Sequence, residues 1–432
     1  MNLMRAQSFA AGVVGLVLVA CSTPPITPPS PRPVSSASPT SSGLVSASPS
    51  TRPASAPLSS PHATATWSLT GRMVAARTGH TATTLLDGRV LVTGGQSSEA
   101  ARLTGDAPKD LASAELFDPV LGMWTKTGSM TVPRFGHSAT LLPDGTVLVA
   151  GGYDFQAARD MGVEIAARTT AEVFDPATGR WTATRSMAIG RAGHRATLLP
   201  DGRVLVAGGG LADRTVMGSA ELYDPRSRSW TATGTMVDGR LAHRSIVLAD
   251  GRVFAVGGWS IGSDPEPVRA AEIYLPATET WIPTLDPPAR VLVCGVALLP
   301  DRRVLAVGHT PDGDPATALY DATTEAWTRA GAPTIAGAPT IAGSSCSTTT
   351  LADGRVLAVG SHVDGRPADA WLFDAGTTTW SKTAALGRAR SGAEMVLLGD
   401  GRVLVAGGDF HPALTRANAA IGTAEVFDPI GS

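Results

Sequence analysis

The chain has 432 residues, with 35 Lys and Arg against 37 Asp and Glu, a formal net charge of −2. Charges of both signs are interspersed, which excludes a basic surface for neutralising phosphates and an acidic tail, and with them a nucleic-acid partner. The 48 glycines and 32 prolines, without long runs of helical periodicity, favour an all-β chain of short strands and tight turns. Three cysteines, Cys21, Cys294 and Cys346, are too few and too scattered for a disulfide framework or a CxxC metal site.

Arg5 precedes an apolar stretch from Phe9 to Ala20, short for a membrane span, so residues 1–20 are predicted to be a signal peptide. The run Leu18-Val19-Ala20-Cys21 resembles the bacterial lipobox; the alternative is an ordinary signal peptide with a chance cysteine beside the cut. The resemblance implies lipid attachment at Cys21 and an exported bacterial lipoprotein. Ser22 in the next position resembles outer-membrane sorting, placing the protein at the periplasmic face or the cell surface. Buried acyl chains, at about 0.8 kcal/mol per CH₂, would hold it on the bilayer. Residues 21–66 are nearly all Ser, Pro, Thr and Ala, a composition that predicts a disordered, proline-stiffened tether.

From residue 67 to 432 the chain repeats itself. An Asp recurs at Asp87, Asp144, Asp201, Asp250, Asp301, Asp353 and Asp400, and in every copy a Gly follows seven residues later, from Gly94 to Gly407. The β-prone residues around each Asp predict a strand, a turn and a second strand. A third strand carries an aromatic (Phe117, Phe174, Tyr223, Tyr274, Tyr320, Phe373, Phe427) and a fourth carries a tryptophan (Trp124, Trp181, Trp230, Trp281, Trp327, Trp380). The seventh tryptophan is Trp67, which precedes Asp87 by the same 20 residues that separate Trp124 from Asp144. Trp327 breaks the spacing because Gly331 to Ala336 (GAPTIA) is duplicated at Gly337 to Ala342, predicted to loop out between repeats. The strand at Trp67 and the three strands ending near Asp428 complete each other, so a ring closed by both termini leaves no open sheet edge.

The apolar strand leading to Gly94-Gly95, the following Glu and aromatic, and then Trp124 resemble the kelch repeat, from about residue 67 to the C-terminus. The resemblance implies a seven-bladed kelch-type β-propeller with four strands per blade, monomeric, closed by an N-terminal outer strand joining the last blade. Bacterial kelch lipoproteins, the propeller of galactose oxidase and sialic acid mutarotase are similar at this level, so the fold implies little about function.

Arg77, Arg134, Arg191, Arg240 and Arg390 sit ten residues before the repeat Asp, and Glu115, Glu172, Glu221, Glu272 and Glu425 occur in the same five repeats. Repeats five and six lack the Arg, the Glu and the second Gly together, with His309 and Ser361 in the Gly position. That joint loss predicts structural ion pairs, Arg to Glu across a side-chain-free Gly pair, rather than a ligand site. His80, His137, His194 and His243, seven residues before the Asp, are predicted to be core histidines rather than metal ligands. Cys294 and Cys346 hold the same position in repeats five and six; facing the same rotational direction, they are expected to be two buried thiols, with a disulfide disfavoured.

The connection between strands two and three is longest in repeats one, two and seven, which become neighbours once the ring closes. Loops placed by a rigid scaffold are where binding residues collect. Candidate binding residues are therefore Arg102, Asp106, Lys109, Tyr153, Asp154, Arg159, Asp160, Asp409, His411 and Arg416. The alternative is ordinary solvated charge on surface insertions. Three of the four tyrosines are the repeat aromatic, leaving only Tyr153 for galactose oxidase-like copper chemistry, and GxSxG, HExxH, P-loop and Asp-box motifs are missing, so no catalytic residue, metal or cofactor is predicted. The reading is a non-enzymatic binding or scaffolding module for a protein or glycan. The alternative is a carbohydrate-active enzyme of mutarotase, epimerase or galactose oxidase-like type.

Overall fold

The computed structural model describes residues 65–97, 108–153, 167–211, 215–260, 266–268, 270–287, 291–310, 314–331, 346–360, 369–410 and 419–430. The predicted signal peptide, nearly all of the tether, and most of the duplicated GAPTIA segment lie outside these residues.

Seven four-stranded antiparallel sheets form the blades of a β-propeller, with no helix among the described residues. Blade 1 runs from its inner strand Thr81–Thr84 through Val90–Thr93 and Ala114–Asp118 to its outer strand Met123–Lys126. The inner strands of blades 2 to 7 are Ser138–Leu141, Arg195–Leu198, Arg244–Val247, Leu292–Leu298, Ser347–Thr350 and Glu394–Leu397. Each second strand, such as Val147–Ala150, is buried on both faces because neighbouring blades cover both sides of it.

Blade 7 takes its fourth strand from the other end of the folded region. Thr66–Arg72 pairs antiparallel with Thr423–Asp428, in the register Thr66↔Asp428 and Trp67↔Phe427. The repeat's aromatic pair follows from that register, with ring centroids 5.0 Å apart in Trp67–Phe427 and 4.9 Å in Phe117–Trp124. The tryptophans also bind blade to blade. Trp67 Nε1 donates to Ala384 O of blade 6 at 2.8 Å, and Trp181 Nε1 to Gly128 O of blade 1 at 2.8 Å.

Blades 5 and 6 depart from the others, and here the cysteine expectation is corrected: Cys294 and Cys346 form a disulfide, with Cα atoms 5.2 Å apart. The physical reason is a β-bulge. In blade 5 the register slips between Val293 and Gly295, so Cys294 has no partner opposite it and its side chain is re-aimed. Elsewhere the first Gly of the pair faces the next blade's histidine, Gly94 facing His137 and Gly151 facing His194. Gly257 faces Val293 instead, which leaves Cys294 turned towards blade 6.

Candidate functional site

The Gly pairs end the second strands on one face of the ring, where the inner strands begin, and the repeat's buried arginines, glutamates and histidines gather there. Arg77 Nη2 lies 2.7 Å from Glu115 Oε1, with both side chains sealed from solvent. Arg77 Nη1 donates to Gly94 O at 2.8 Å and Ser113 O at 3.1 Å. Glu115 also accepts from the amides of Val74 and Ala75, at 2.6 and 3.0 Å. One pair thus joins the chain before the inner strand, the end of strand two and the start of strand three. Arg134–Glu172, Arg191–Glu221, Arg240–Glu272 and Arg390–Glu425 repeat it at 2.9, 3.1, 2.6 and 2.9 Å. Burial pulls the Arg77 guanidinium below its usual range, and Glu115 opposes that shift. Gly94, at φ +61°, is required because a Cβ there would stand 2.6 Å from His137 Cε1.

The four histidines lie in four separate blade interfaces. His137 Nε2 is 3.1 Å from both Thr81 Oγ1 and Thr93 Oγ1, and His194 Nε2 is 2.8 Å from Ser138 Oγ. Burial, reinforced by Arg77 beside His80 and by Arg134 beside His137, pushes both imidazoles down to about 3. They are neutral at physiological pH. Among the described residues no group of three or more His, Cys, Asp or Glu could hold a metal ion.

Sequence reasoning missed a second set of groups. The residue after the His or Cys position is Thr81, Ser138 or Ser347 in three blades, but Arg195 in blade 3, Arg244 in blade 4 and Glu394 in blade 7. These three pair with Ala207, Val256 and Ala406, the last strand-two residues before the Gly pair or its equivalent, so they share one layer at the mouth of the central channel. Arg195 Nε donates to His243 O at 2.6 Å. Arg244 donates from Nε to Cys294 O at 2.6 Å and from Nη2 to Cys346 O at 3.3 Å, touching two successive inner strands, which only the channel side permits. Glu394 stands across the channel. Burial raises its carboxyl to about 7, with Arg195 opposing. Reading each repeat position around the ring would have exposed this layer, as the place where small hydroxyl residues give way to charge.

Of the candidate loop residues, Lys109, Tyr153 and Asp409 are described; Arg102, Asp106, Asp154, Arg159, Asp160, His411 and Arg416 lie outside the described residues. Lys109 is exposed on a two-stranded ribbon, Gln96–Ser97 paired with Lys109–Asp110, above blade 1. Asp409 begins the matching ribbon of blade 7, Asp409–Phe410 paired with Ala419–Ala420. Asp409 is buried, and burial lifts its carboxyl to about 6. Tyr153 is buried between Phe135 and Ala192, its hydroxyl donating to Gly210 O at 3.3 Å. The structure therefore brings Lys109 and Asp409 to neighbouring ribbons and sets Tyr153 in a packed cluster with Phe135 and Ala192.

Fold and repeat architecture together define a seven-bladed β-propeller with four strands per blade. No protein-family model and no curated protein matches the chain in sequence. Among solved structures it is similar to a fungal alcohol oxidase of the AA5 family in complex with copper, at 15% identity and a TM-score of 0.61 over 84% of this chain and 76% of that one. It is similar also to YjhT, at 12% identity and a TM-score of 0.52 over 83% of this chain and 96% of that one. At such identities the likeness concerns the fold alone. A copper centre does not fit the described residues: the four repeat histidines are dispersed, Cys294 is held in its disulfide, and the Tyr153 hydroxyl is bonded to backbone.

Proposed function

We propose that the chain is an exported, membrane-anchored propeller that binds a protein or glycan on the face bearing the blade 1 and blade 7 ribbons, without catalysing a reaction. The observation that carries this reading is the contact between the two ribbons: Ala419–Ala420 lies beside Gln96–Ser97, which joins them into one sector of the face with Lys109 exposed on it. Ribbons and loops placed by a rigid ring suit recognition. The lipobox resemblance at Cys21 supports the anchoring, and the Cys294–Cys346 disulfide is of the kind that persists in oxidising, extracytoplasmic compartments.

A second reading, a saccharide mutarotase or epimerase, is favoured by one observation: Glu394 has its carboxyl raised to about 7 with Arg195 nearby, a state suited to general acid and base work. One experiment separates the two. The full chain is placed on a glycan array, a photo-crosslinker is introduced at Ser97, opposite Lys109 in the ribbon, and saccharide anomer exchange is followed by NMR. Partner capture at Ser97 that falls at least tenfold when Lys109→Glu is added supports the binding module. Anomer exchange that disappears in Glu394→Gln would replace it with the enzyme.

A further inference from the structure

We propose that the central channel holds a small-oxyanion site, in which the guanidinium groups of Arg195 and Arg244, facing the Glu394 side chain, receive a phosphate or carboxylate group. The site lies on the same face as the ribbons but at the mouth of the central channel and on other residues, and it stands whether or not the ribbons take a macromolecular partner.

Three observations carry it. First, both guanidinium groups are fixed by the edges they lean on. Arg195 is tied through Nε to His243 O, and Arg244 through Nε and Nη2 to Cys294 O and Cys346 O, the carbonyls of the two disulfide-bonded residues. Among the described residues no hydrogen bond uses Nη1 or Nη2 of Arg195, or Nη1 of Arg244. Planar donors held in place but uncommitted match the paired oxygens of a carboxylate or phosphate.

Second, Arg195 and Glu394 come from blades 3 and 7, which are not neighbours, and each perturbs the other's titration across the channel. No ion pair closes between them among the described residues. The gap between donors and carboxyl is where a ligand would sit, with its oxygens on the arginines and one accepting a proton-bearing contact from Glu394. The other titratable groups facing this layer, His194 and His243, are held neutral by burial first and by Arg191 and Arg240 second, so they neither add to nor offset the field.

Third, the layer breaks the repeat. Among the described residues five interior arginines are each paired with a glutamate of their own blade, as in Arg134–Glu172, and Arg195 and Arg244 stand outside that frame. Two arginines against one partly protonated carboxyl leave an uncompensated positive charge in a narrow channel, and such a channel concentrates an anion.

The test uses the full chain and two probes, inorganic phosphate and acetate, titrated separately by calorimetry against chloride at matched ionic strength. Saturable one-site binding of either probe is expected, phosphate alone indicating a phosphate group as the recognised feature and acetate alone a carboxylate. Arg195→Met is expected to weaken binding about tenfold, the loss of one charge-assisted contact. Glu394→Gln, a near-isosteric change that removes negative charge, is expected to tighten binding several-fold at pH 8, a gain that structural damage would not produce. The proposal is overturned if neither probe binds above the chloride control, or if both variants bind as the parent does. Lys109→Glu should leave phosphate binding unchanged, so failure here and failure of the ribbon reading are told apart.

Discussion

At the scale of single residues, the ring holds four imidazoles that must stay uncharged. His80 and His137 protonate only near pH 3 in the folded protein, against about 6.5 when exposed, so between these values the unfolded chain binds more protons. The stability present above pH 6.5 is therefore lost as pH falls, at about 1.4 kcal/mol per pH unit for each such histidine. Urea denaturation from pH 7 to pH 4.5 should show a steep decline, and His137→Gln should flatten it. The buried pairs behave differently. Glu172→Leu strands Arg134 in a dry site and is expected to cost about 3–5 kcal/mol, whereas Arg134→Leu together with Glu172→Leu should cost less than the two single changes summed, a coupling that a double-mutant cycle measures. These pairs were legible in the sequence because Arg, Gly-Gly and Glu appear and vanish together. Arg195, Arg244 and Glu394 are legible only when all seven copies are compared at that one position, because most repeats carry a small residue there and the pattern within any single repeat gives no sign of the departure.

At the scale of elements, blades 5 and 6 solve the same packing problem with different means. Lacking the Arg–Glu frame, blade 5 runs its strands on through the corner, Val304–His309 pairing with Pro315–Asp321, and a disulfide fastens its inner strand to that of blade 6. A cross-link over 52 residues restrains the unfolded chain by about 4 kcal/mol in the loop-entropy treatment. Reduction should lower the melting temperature and speed amide exchange first in Leu292–Leu298 and Ser347–Thr350, while blades 1 to 3 keep their protection. The hairpins, the aromatic pairs and the closing strand could all be read from spacing, since the pleat and the turn fix where each side chain falls. The disulfide could not. Equivalent positions in successive repeats point the same way unless a bulge intervenes, and the bulge at Cys294 is a backbone event that arises from how Val293 fits against Gly257.

At the scale of the whole molecule, closure makes the blades interdependent. Removing Thr66–Arg72 exposes the edge of Thr423–Asp428, strips Phe427 of its Trp67 cover and deletes the bond from Trp67 to Ala384, so the melting transition should fall by many degrees and broaden. Removing residues 25–60 should leave it unchanged. Equal melting of both truncated chains would mean that the seam adds nothing.

The same seam has a mechanical meaning. Thr66 lies opposite Asp428, so both termini leave the ring from one end of a single strand pair. Tension between them loads the ladder at that end and parts it one pair at a time, Thr66 from Asp428, then Trp67 from Phe427, instead of shearing all the bonds at once. The propeller is therefore expected to resist heat as one unit yet give way to a modest pull on its two ends, with blade 7 opening while the other six remain folded. Force applied between the ribbon face and the N-terminal side would take another path through the sheet and meet a stiffer body.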